Sequence, residues 1–274
     1  MCEVIALKTS KIVMAMRDRI MTLLRDLEAK HEIKILMAVN YGSRSFGYSS
    51  EGSDWDVRFI YVHRPEWYFS LANESDVIEI MLEDEHLDIE GYDLKKALML
   101  MSKTNPIESD WLHSGDFFIL DEEFRAKMWE FESACYNPHH AMYHFYSIGV
   151  KHNQRFLDIE VTLKRFIYYM RGLLSCRWVE ANGSHPPVNV DELIDATILD
   201  NDAVRAKAHA LLELKRCGKF NDMSIVDEEL SAYIFNIQHY YEELLPRYID
   251  TKPQADIPAM SKFLMETVLN SWHI

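Results

Sequence analysis

The sequence has few cysteines, glycines and prolines, and it contains no long apolar run. Among its 274 residues there are 4 cysteines, which lie far apart and form no Cys-x-x-Cys pair: Cys2, Cys135, Cys176 and Cys217. A disulfide framework and a cysteine-rich zinc site are therefore not expected, and a reducing cytoplasm is the expected location. No apolar stretch approaches the roughly 20 residues that span a bilayer, and early charged residues leave no signal-peptide core. The composition predicts a soluble protein without a membrane partner.

Positive charge is also scarce, with 29 Lys and Arg residues against 44 Asp and Glu residues and a formal net charge of −15. This balance argues against a broad electrostatic attraction to nucleic acid. It leaves room for a local basic groove, because salt screens charges beyond about 8–10 Å. The surplus of carboxylates also suits a protein that gathers acidic side chains around divalent metal ions. With 48% hydrophobic and 12% aromatic residues, the chain is expected to form one large globular domain or two small ones.

Apolar periodicity in the front part of the sequence predicts a small sheet with helices. A helix is expected over roughly residues 11–31, and one helical turn over Ser43–Tyr48. Four strands are expected from short runs rich in β-branched and aromatic residues: Ile33–Asn40, Asp54–Val62, Val77–Leu82 and Leu87–Tyr92. A helix over Leu94–Met101, a short helix after Pro106 and a small edge strand over Phe117–Leu120 complete this part.

The remainder of the sequence has the periodicity of helices. They are expected at roughly 121–136, 138–156, 160–182, 189–198, 201–217, 227–248 and 256–272. The sequence thus predicts an α+β fold, in which a small sheet with helices precedes a C-terminal helical bundle. We expect residues 1–125 to form the catalytic domain and residues 126–274 to form a helical domain.

The segment from Tyr41 to Tyr61 carries the pattern that indicates chemistry. A strand ends at Gly42-Ser43, a loop follows, and the next strand opens with Asp54-x-Asp56. Because successive strand side chains alternate between faces, the two carboxylates point the same way, with Cα atoms roughly 6.5–7 Å apart. Carboxylates placed in this way suit two Mg²⁺ ions about 3.5–4 Å apart, which stabilise the attacking and leaving oxygens of phosphoryl transfer.

Candidate phosphate ligands surround the same pattern. Gly42 lets the backbone approach phosphates without a Cβ clash, and Ser43 offers a hydroxyl and backbone N–H groups at the start of a helical turn. Arg44 and Arg58 are candidates for neutralising phosphate charge, and Arg58 shares the strand face of Asp56. A Gly-Ser turn or an Asp-x-Asp pair alone is common in solvated loops. Their combination between two apolar strands favours the functional interpretation.

A third carboxylate normally completes such a site from a neighbouring strand. Asp88 is the leading candidate, because it stands between two apolar residues in the pattern of an acid on a buried strand. Glu90 shares its face, and Asp93 follows but is also suited to cap the next helix. Glu79 is a weaker candidate. The sequence leaves this assignment open.

At these residues the sequence resembles polymerase-β-type nucleotidyltransferases and, more narrowly, the YcgL/RlaP family of predicted nucleotidyltransferases. Besides the Gly-Ser and Asp-x-Asp pattern, the similarity lies in GSRSFGYSSEGSDWDVRFIYV, PEWYFSL, LDIEGYDLKKALMLMSKTNPIESDWLHS and LKRFIYYMRGLLSCRWVEANGSHPPV, within roughly residues 33–190. Where the family often has Gly-Trp-Asp-Leu, this chain has Gly91-Tyr92-Asp93-Leu94, which is a mild departure.

The resemblance implies a minimal nucleotidyltransferase fold with a helical C-terminal domain, and Mg²⁺-dependent transfer from an NTP. By position it implies Asp54, Asp56 and Asp88 as catalytic residues and metal ligands, and Gly42-Ser43 as the phosphate loop. It also implies a link to RNA repair. The final part of the chain shows no matching pattern.

A locally basic helix is expected after residue 160. Lys164, Tyr168 and Arg171 fall on one face of it. This face is a candidate border of the triphosphate or of an acceptor phosphate backbone, so Lys164 and Arg171 are candidate nucleotide ligands. A solvated charged helix is the alternative.

Together these observations predict a two-metal, NTP-dependent nucleotidyltransferase that uses Mg²⁺ or Mn²⁺ and transfers NMP to an acceptor hydroxyl. ATP is the expected NTP, and an RNA end, such as that of a tRNA, is the first candidate acceptor. One alternative is transfer of AMP to a protein hydroxyl, which the acidic net charge favours. Another is a non-catalytic, antitoxin-like binding protein, which the intact Asp-x-Asp pair disfavours. The sequence leaves open the base transferred, the acceptor and the oligomeric state.

Overall fold

The computed structural model describes residues 2–72, 74–154, 162–218, 226–247 and 255–274. Within these ranges the chain forms a five-stranded sheet, helices on both faces of the sheet and a separate cluster of helices. No helix within them has the length and apolar character needed to cross a bilayer.

A mixed sheet organises the front of the chain, with strand order β3-β4-β2-β1-β5. The strands are β1 (Ile33–Tyr41), β2 (Trp55–His63), β3 (Val77–Leu82), β4 (Leu87–Asp93) and β5 (Phe117–Leu120). β2 and β4 pair in parallel, and the other neighbouring strands pair antiparallel. The start of β2, the start of β4 and the end of β1 therefore meet at one edge of the sheet.

The alternation of side chains along β2 separates two cores on opposite faces of the sheet. Trp55, Val57 and Phe59 pack on one face against α1 (Cys2–His31). Ile60 and Val62 face the other side, which is covered by four helices: α4 (Leu94–Met101), α5 (Pro106–Leu112), α6 (Glu122–Cys135) and α12 (Ile257–Ser271). Both faces of the central strand are thus buried over most of its length.

A separate cluster of helices packs around α8 (Leu163–Asn182). Its other members are α7 (Pro138–Gln154), α9 (Val190–Thr197), α10 (Asp202–Arg216) and α11 (Glu228–Leu244). α7 and α8 approach closely, since a Cβ atom on Gly172 would lie 2.8 Å from the Cα atom of Gly149 and 2.7 Å from the carbonyl oxygen of Phe145. A larger residue at Gly172 would push the two helices apart.

The predicted α+β fold, with a sheet followed by helices, is confirmed. Seven helices start close to the predicted positions, because side-chain oxygens accept hydrogen bonds from first-turn N–H groups at Asn105, Asp121, Thr162, Asn189, Asn201, Asp227 and Asp256. The first helix differs, since α1 begins at Cys2 and not near residue 11. The helical turn α2 (Gly42–Ser45) is shorter than predicted, and α3 (Pro65–Tyr68), which begins at a proline, was not predicted. The predicted helix ends near 156, 160 and 248 lie outside the described residues.

The last helix belongs to the predicted helical domain but packs on the sheet of the predicted first domain. α12 falls within residues 126–274, yet its Met260 and Val268 are buried in the core on the sheet. Trp272 Nε1 also donates a hydrogen bond of 2.9 Å to the carbonyl oxygen of His63, at the end of β2. The division at residue 125 stays a prediction, whereas the packing of α12 on the sheet is observed.

Candidate active site

The Gly-Ser turn lies directly beside the second aspartate of the Asp-x-Asp pair. In the antiparallel register of β1 and β2, Tyr41 is opposite Asp56, so Gly42 comes next to the Asp56 carboxylate. Gly42 has a φ of +63°, and a Cβ atom built on it would lie 2.1 Å from Asp56 Oδ2. The position therefore requires glycine both for its backbone conformation and for the space that it leaves to the carboxylate.

The parallel register of β2 and β4 brings the predicted third carboxylate to the same place. Asp56 is opposite Asp88, and Arg58 is opposite Glu90, so all four side chains share one face of the sheet. Arg58 Nη2 donates a 2.7 Å hydrogen bond to Asp88 Oδ2, and its Nε lies 3.3 Å from Glu90 Oε2. Arg58 thus holds two carboxylates in an ion-pair cluster at the edge of the site.

Asp54 lies in the loop just before β2 and is more exposed than Asp56. Its Oδ1 is 3.3 Å from His86 Nδ1, and both side chains are more than half exposed, at 55% and 76%. Arg44 holds the backbone of this loop, since it donates hydrogen bonds to the carbonyl oxygens of Ser53 (2.8 Å) and Asp54 (3.2 Å). Its guanidinium also stacks 3.9 Å from the ring centroid of Trp55. Arg44 therefore fixes the position of Asp54 through the main chain.

Among the alternatives for the third carboxylate, Asp93 is a buried helix cap. It accepts hydrogen bonds from the backbone N–H of Lys95 (2.8 Å) and from the hydroxyl of Tyr68 (2.7 Å) at the start of α4. Burial raises the pKa of Asp93 to about 6. Glu79 is opposite Glu90 on β3, one strand further from β2. Of the four candidates, Asp88 is the one placed opposite Asp56.

A cavity of about 270 Å³ opens at this edge of the sheet and is also lined by the helical cluster. Its walls are formed by Ser43, Gly52, Ser53, Asp54, Asp56, Lys164, Tyr168 and Lys215. The predicted nucleotide ligand Lys164, on α8, thus faces Ser43 and the aspartates across one cavity. A larger cavity of about 930 Å³ lies around His63 and Trp67, at the other end of β2, and it includes none of these residues. Size alone therefore does not locate the site.

The charges around the cavity influence one another. Burial raises the pKa of Asp56, and Asp88 and Asp54 raise it further, while Arg58 and Lys164 oppose this shift. Asp56 is thus a half-buried carboxylate whose pKa is raised mainly by burial, although Arg58 and Lys164 lie near it.

Lys215 is the lining residue that sequence reasoning missed. It comes from α10, in the part of the chain where no family pattern was recognised. Burial lowers the pKa of Lys215 to about 8, Lys164 lowers it further, and Asp54 opposes the shift. A signal was present, because Lys215 follows the buried Val204, Ala208 and Leu211 at helical spacing. A lysine on the apolar face of an amphipathic helix indicates either a buried partner or a site.

Arg171, the other predicted ligand on α8, does not line this cavity. Its Nη2 donates a 2.8 Å hydrogen bond to Asp110 Oδ1, and both side chains are less than one-tenth exposed. Its guanidinium stacks 4.0 Å from the ring centroid of Phe46, and Asp110 also accepts a 3.1 Å hydrogen bond from the hydroxyl of Tyr41. Tyr41 precedes α2 and Phe46 follows it. The buried pair therefore holds the Gly-Ser turn from behind.

The loop after α2 is bound to the helical cluster as well. Arg216, at the end of α10, donates hydrogen bonds of 2.8 Å and 2.6 Å from Nε and Nη2 to the carbonyl oxygen of Gly47. The backbone N–H of Val190 donates a 3.0 Å bond to the carbonyl oxygen of Phe46. Contacts from α9 and α10 thus fix the relative positions of the Gly-Ser turn and the lysines that line the cavity.

The donor chemistry of the site is that of a hard divalent cation. Asp54, Asp56 and Asp88 offer carboxylate oxygens, which Mg²⁺ prefers, and the Asp56 carboxylate fits against the backbone of Gly42. In the part of the chain that the structure describes, no three His, Cys, Asp or Glu side chains converge as a metal cluster. The carboxylate of Asp88 contacts Arg58 instead. The residue types fit such a cation, and its binding stays a prediction.

Comparison with known proteins supports the resemblance seen in the sequence. The model of the family RlaP, described as the RNA repair pathway DNA polymerase beta family, matches residues 16–265. The chain is 31% identical over 262 residues to the protein YcgL of Bacillus subtilis (strain 168), with 94% of this chain and 98% of YcgL covered. A crystal structure of a nucleotidyltransferase-like protein from Exiguobacterium sibiricum 255-15 is similar with 14% identity and a TM-score of 0.31, covering 85% of this chain and 75% of that one. A structural likeness of that size carries no argument.

Proposed function

The chain belongs to the RlaP family, the RNA repair pathway DNA polymerase beta family, and from this premise we propose that it is a metal-dependent nucleotidyltransferase. In this proposal it transfers NMP from an NTP, with ATP as the expected donor, to an acceptor hydroxyl. One observation carries the proposal: the strand register that sets Asp56 beside Gly42 and opposite Asp88. The cavity shared by Ser43, Asp54 and Asp56 adds space for a ligand at that point.

Each residue of the site has a role in this proposal. Asp54, Asp56 and Asp88 hold Mg²⁺ or Mn²⁺, and Gly42 leaves room for the Asp56 carboxylate. When bound, the divalent ions lower the pKa of the attacking hydroxyl and stabilise the leaving pyrophosphate. Ser43 donates its hydroxyl to a phosphate oxygen. These groups stabilise charge that grows in the transition state.

The basic residues divide between binding and positioning. Lys164, which lines the cavity, neutralises phosphate charge. Arg58 keeps the Asp88 carboxylate on the Asp56 face through their 2.7 Å contact. Arg44 holds the loop that carries Asp54 through two carbonyl oxygens. Arg171 acts behind the Gly-Ser turn rather than in the cavity.

An RNA end is the acceptor that we propose, because the family is described by an RNA repair pathway. The formal net charge of −15 favours a protein hydroxyl as the second candidate, since an acidic protein repels RNA over most of its surface. The intact Asp54-x-Asp56 pair disfavours a non-catalytic binding protein, because metal ligands are not retained once chemistry is lost.

The deciding experiment is a transfer assay with each of four labelled NTPs, Mg²⁺ or Mn²⁺, and either total RNA or total protein as acceptor. We expect label in RNA, and we expect the Asp54→Ala/Asp56→Ala double variant to transfer none. Asp84→Ala is the matched control, since Asp84 is an exposed acid in the turn before β4 and its loss leaves transfer intact. Label in protein alone would replace RNA as the acceptor. Transfer by the double variant at the wild-type rate would contradict the proposed function.

A further inference from the structure

Lys215 differs from the other lysines that the structure describes. Its exposed fraction is 2%, and it is the one buried lysine among the residues whose side chains the structure describes. It lines the same cavity as Lys164. Burial is the main cause of the lowered pKa of Lys215, and Lys164 lowers it further. Two ammonium groups on one partly desolvated wall repel each other and disfavour the charged form. An anion with several negative charges relieves that repulsion.

The position of Lys215 is built into the fold. Its neighbour Arg216 donates two hydrogen bonds to the carbonyl oxygen of Gly47, at 2.8 Å and 2.6 Å, and also pairs with Asp191 at the start of α9. These contacts fix the end of α10 against the loop that follows the Gly-Ser turn. The amphipathic face of α10 then directs Lys215 inward, towards the cavity wall.

We propose that Lys215 and Lys164 form a polyphosphate-binding subsite, on the wall opposite Asp54 and Asp56. The ligand class is a chain of linked phosphates, and its identity as the triphosphate of an NTP rests on the proposed function. In this arrangement α8 and α10 bind the phosphates, while the loop before β2 and the start of β2 supply the acidic wall. The helical cluster is thereby a functional part of the site.

The balance of charge in the cavity gives this subsite a distinctive property. Two lysines, Lys164 and Lys215, line the same cavity as two aspartates, Asp54 and Asp56, so their opposite charges attract one another across it. Without a cation on the aspartates, the carboxylates compete with phosphate for the ammonium groups. Removing a carboxylate charge therefore strengthens polyphosphate binding, and removing a lysine charge weakens it.

The test is isothermal titration calorimetry with inorganic tripolyphosphate in metal-free buffer at neutral pH and low salt. This probe has no nucleoside and undergoes no transfer. We expect Lys215→Met to weaken binding by about tenfold or more, the effect of one charge-assisted contact, and Lys164→Met to act in the same direction. We expect Asp54→Asn to tighten binding.

The matched control is Lys207→Met, on the same helix as Lys215. Lys207 pairs with Asp227 at 2.8 Å and with Glu229, away from the cavity, so its loss leaves tripolyphosphate binding unchanged. Thermal unfolding of each variant checks that it is folded. Met resembles Lys in shape, so we expect Lys215→Met to fold and to unfold cooperatively.

Several outcomes would overturn the subsite. Wild-type protein that does not bind tripolyphosphate is one, and a Lys215→Met variant that binds it as tightly as wild type is another. If Lys215→Met fails to fold, the test uses variants of the exposed residues Lys164 and Asp54. Equal affinities of Lys164→Met, Asp54→Asn and wild type for tripolyphosphate would also refute the proposal. The proposed function fails separately, when labelled NTP is not transferred although tripolyphosphate still binds.

Discussion

Asp110 and Asp56 lie on either side of the turn that follows β1, and the fold treats them differently. Asp110 is buried and is matched by Arg171 at 2.8 Å, by His185 at 3.3 Å and by the hydroxyl of Tyr41 at 3.1 Å. Burial alone would raise the pKa of Asp110, yet Arg171 and His185 hold it below its ordinary value. The negative charge of Asp110 is therefore neutralised by partners inside the protein.

Asp56 is half-buried and opens onto a cavity. Burial raises its pKa, and Arg58 and Lys164 do not cancel the combined effect of burial and the neighbouring acids Asp88 and Asp54. A carboxylate that is under-neutralised at the wall of a cavity retains the capacity to bind a cation, whereas a matched one does not. The difference teaches that Asp110 serves the structure and that Asp56 is available for a ligand.

The largest expected effect is on nucleotidyl transfer and comes from removing the charge of Asp56. We expect Asp56→Asn to lower nucleotidyl transfer by on the order of 10⁴-fold, as for the loss of a central catalytic group. The same change removes a charge that burial disfavours, so the midpoint of thermal unfolding stays equal or rises. A labelled-NTP assay and a thermal melt measure the two effects. If Asp56→Asn transferred as well as the control variant Asp84→Asn, the distinction between Asp56 and Asp110 would be wrong.

Replacing Arg171, the partner of Asp110, is expected to lower stability, in contrast to the replacement of Asp56. We expect Arg171→Met to lower the free energy of unfolding by about 3–5 kcal/mol, because Asp110 is left without its main counter-charge. Urea denaturation measures the change. Arg177→Met is the control on the same helix, since Arg177 is part-exposed, donates a hydrogen bond to the hydroxyl of Tyr233 and lies 3.9 Å from an exposed Asp200. The loss of these contacts is expected to cost about 1–2 kcal/mol. Equal costs for the two variants would show that Asp110 is not the matched charge described here.

A third variant tests Gly42, in the turn that lies between Asp56 and Asp110. Gly42→Ala places a Cβ atom 2.1 Å from Asp56 Oδ2 at a φ of +63°, and we expect it to lower the free energy of unfolding by about 2–3 kcal/mol. Gly52→Ala is the control in the following loop, where a Cβ atom meets nothing within 4 Å and the expected change is below about 0.5 kcal/mol. Equal stability of the two variants would show that Asp56 or the turn moves without cost.

The smallest effect concerns Asp93, an intermediate case that is buried but hydrogen-bonded by neutral groups. Burial raises its pKa from 3.8 to about 6, so the folded state binds this proton more tightly than the unfolded state does. Its contribution to stability is present below pH 3.8 and is lost as the pH rises to about 6. We expect the free energy of unfolding of wild type, relative to Asp93→Asn, to fall by about 1–2 kcal/mol across that window. A difference that is constant or rises with pH would contradict this assignment.

Much of the fold and of the acidic wall is readable from the sequence, because the signals are local. The strand period of two predicts Asp54 and Asp56 on one face, and both line one cavity, although Asp54 lies in the loop just before β2. The apolar neighbours of Asp88 mark it as the acid of a buried strand. The family resemblance is confirmed by the match over residues 16–265. The roles of the individual site residues stay predictions.

The rest depends on contacts between distant segments, which periodicity does not encode. Arg171 shares a helical face with Lys164 in the sequence, but its contact with Asp110 spans 61 residues and is made in the interior. Lys215 reaches the cavity from a different helix. The parallel pairing of β2 with β4 likewise decides that Asp88, rather than Asp93, lies opposite Asp56.

The packing of α12 has a consequence for how the protein is made. Ile60 and Val62 belong to a core that includes Met260 and Val268. The cover on this face of the sheet, to which α4, α5 and α6 also contribute, is therefore complete only after α12 has left the ribosome. During synthesis the strands emerge early with this apolar face open to chaperones, proteases and other nascent chains. Folding of the sheet is thereby coupled to completion of α12, and a nascent chain halted before this helix keeps part of that core in contact with solvent.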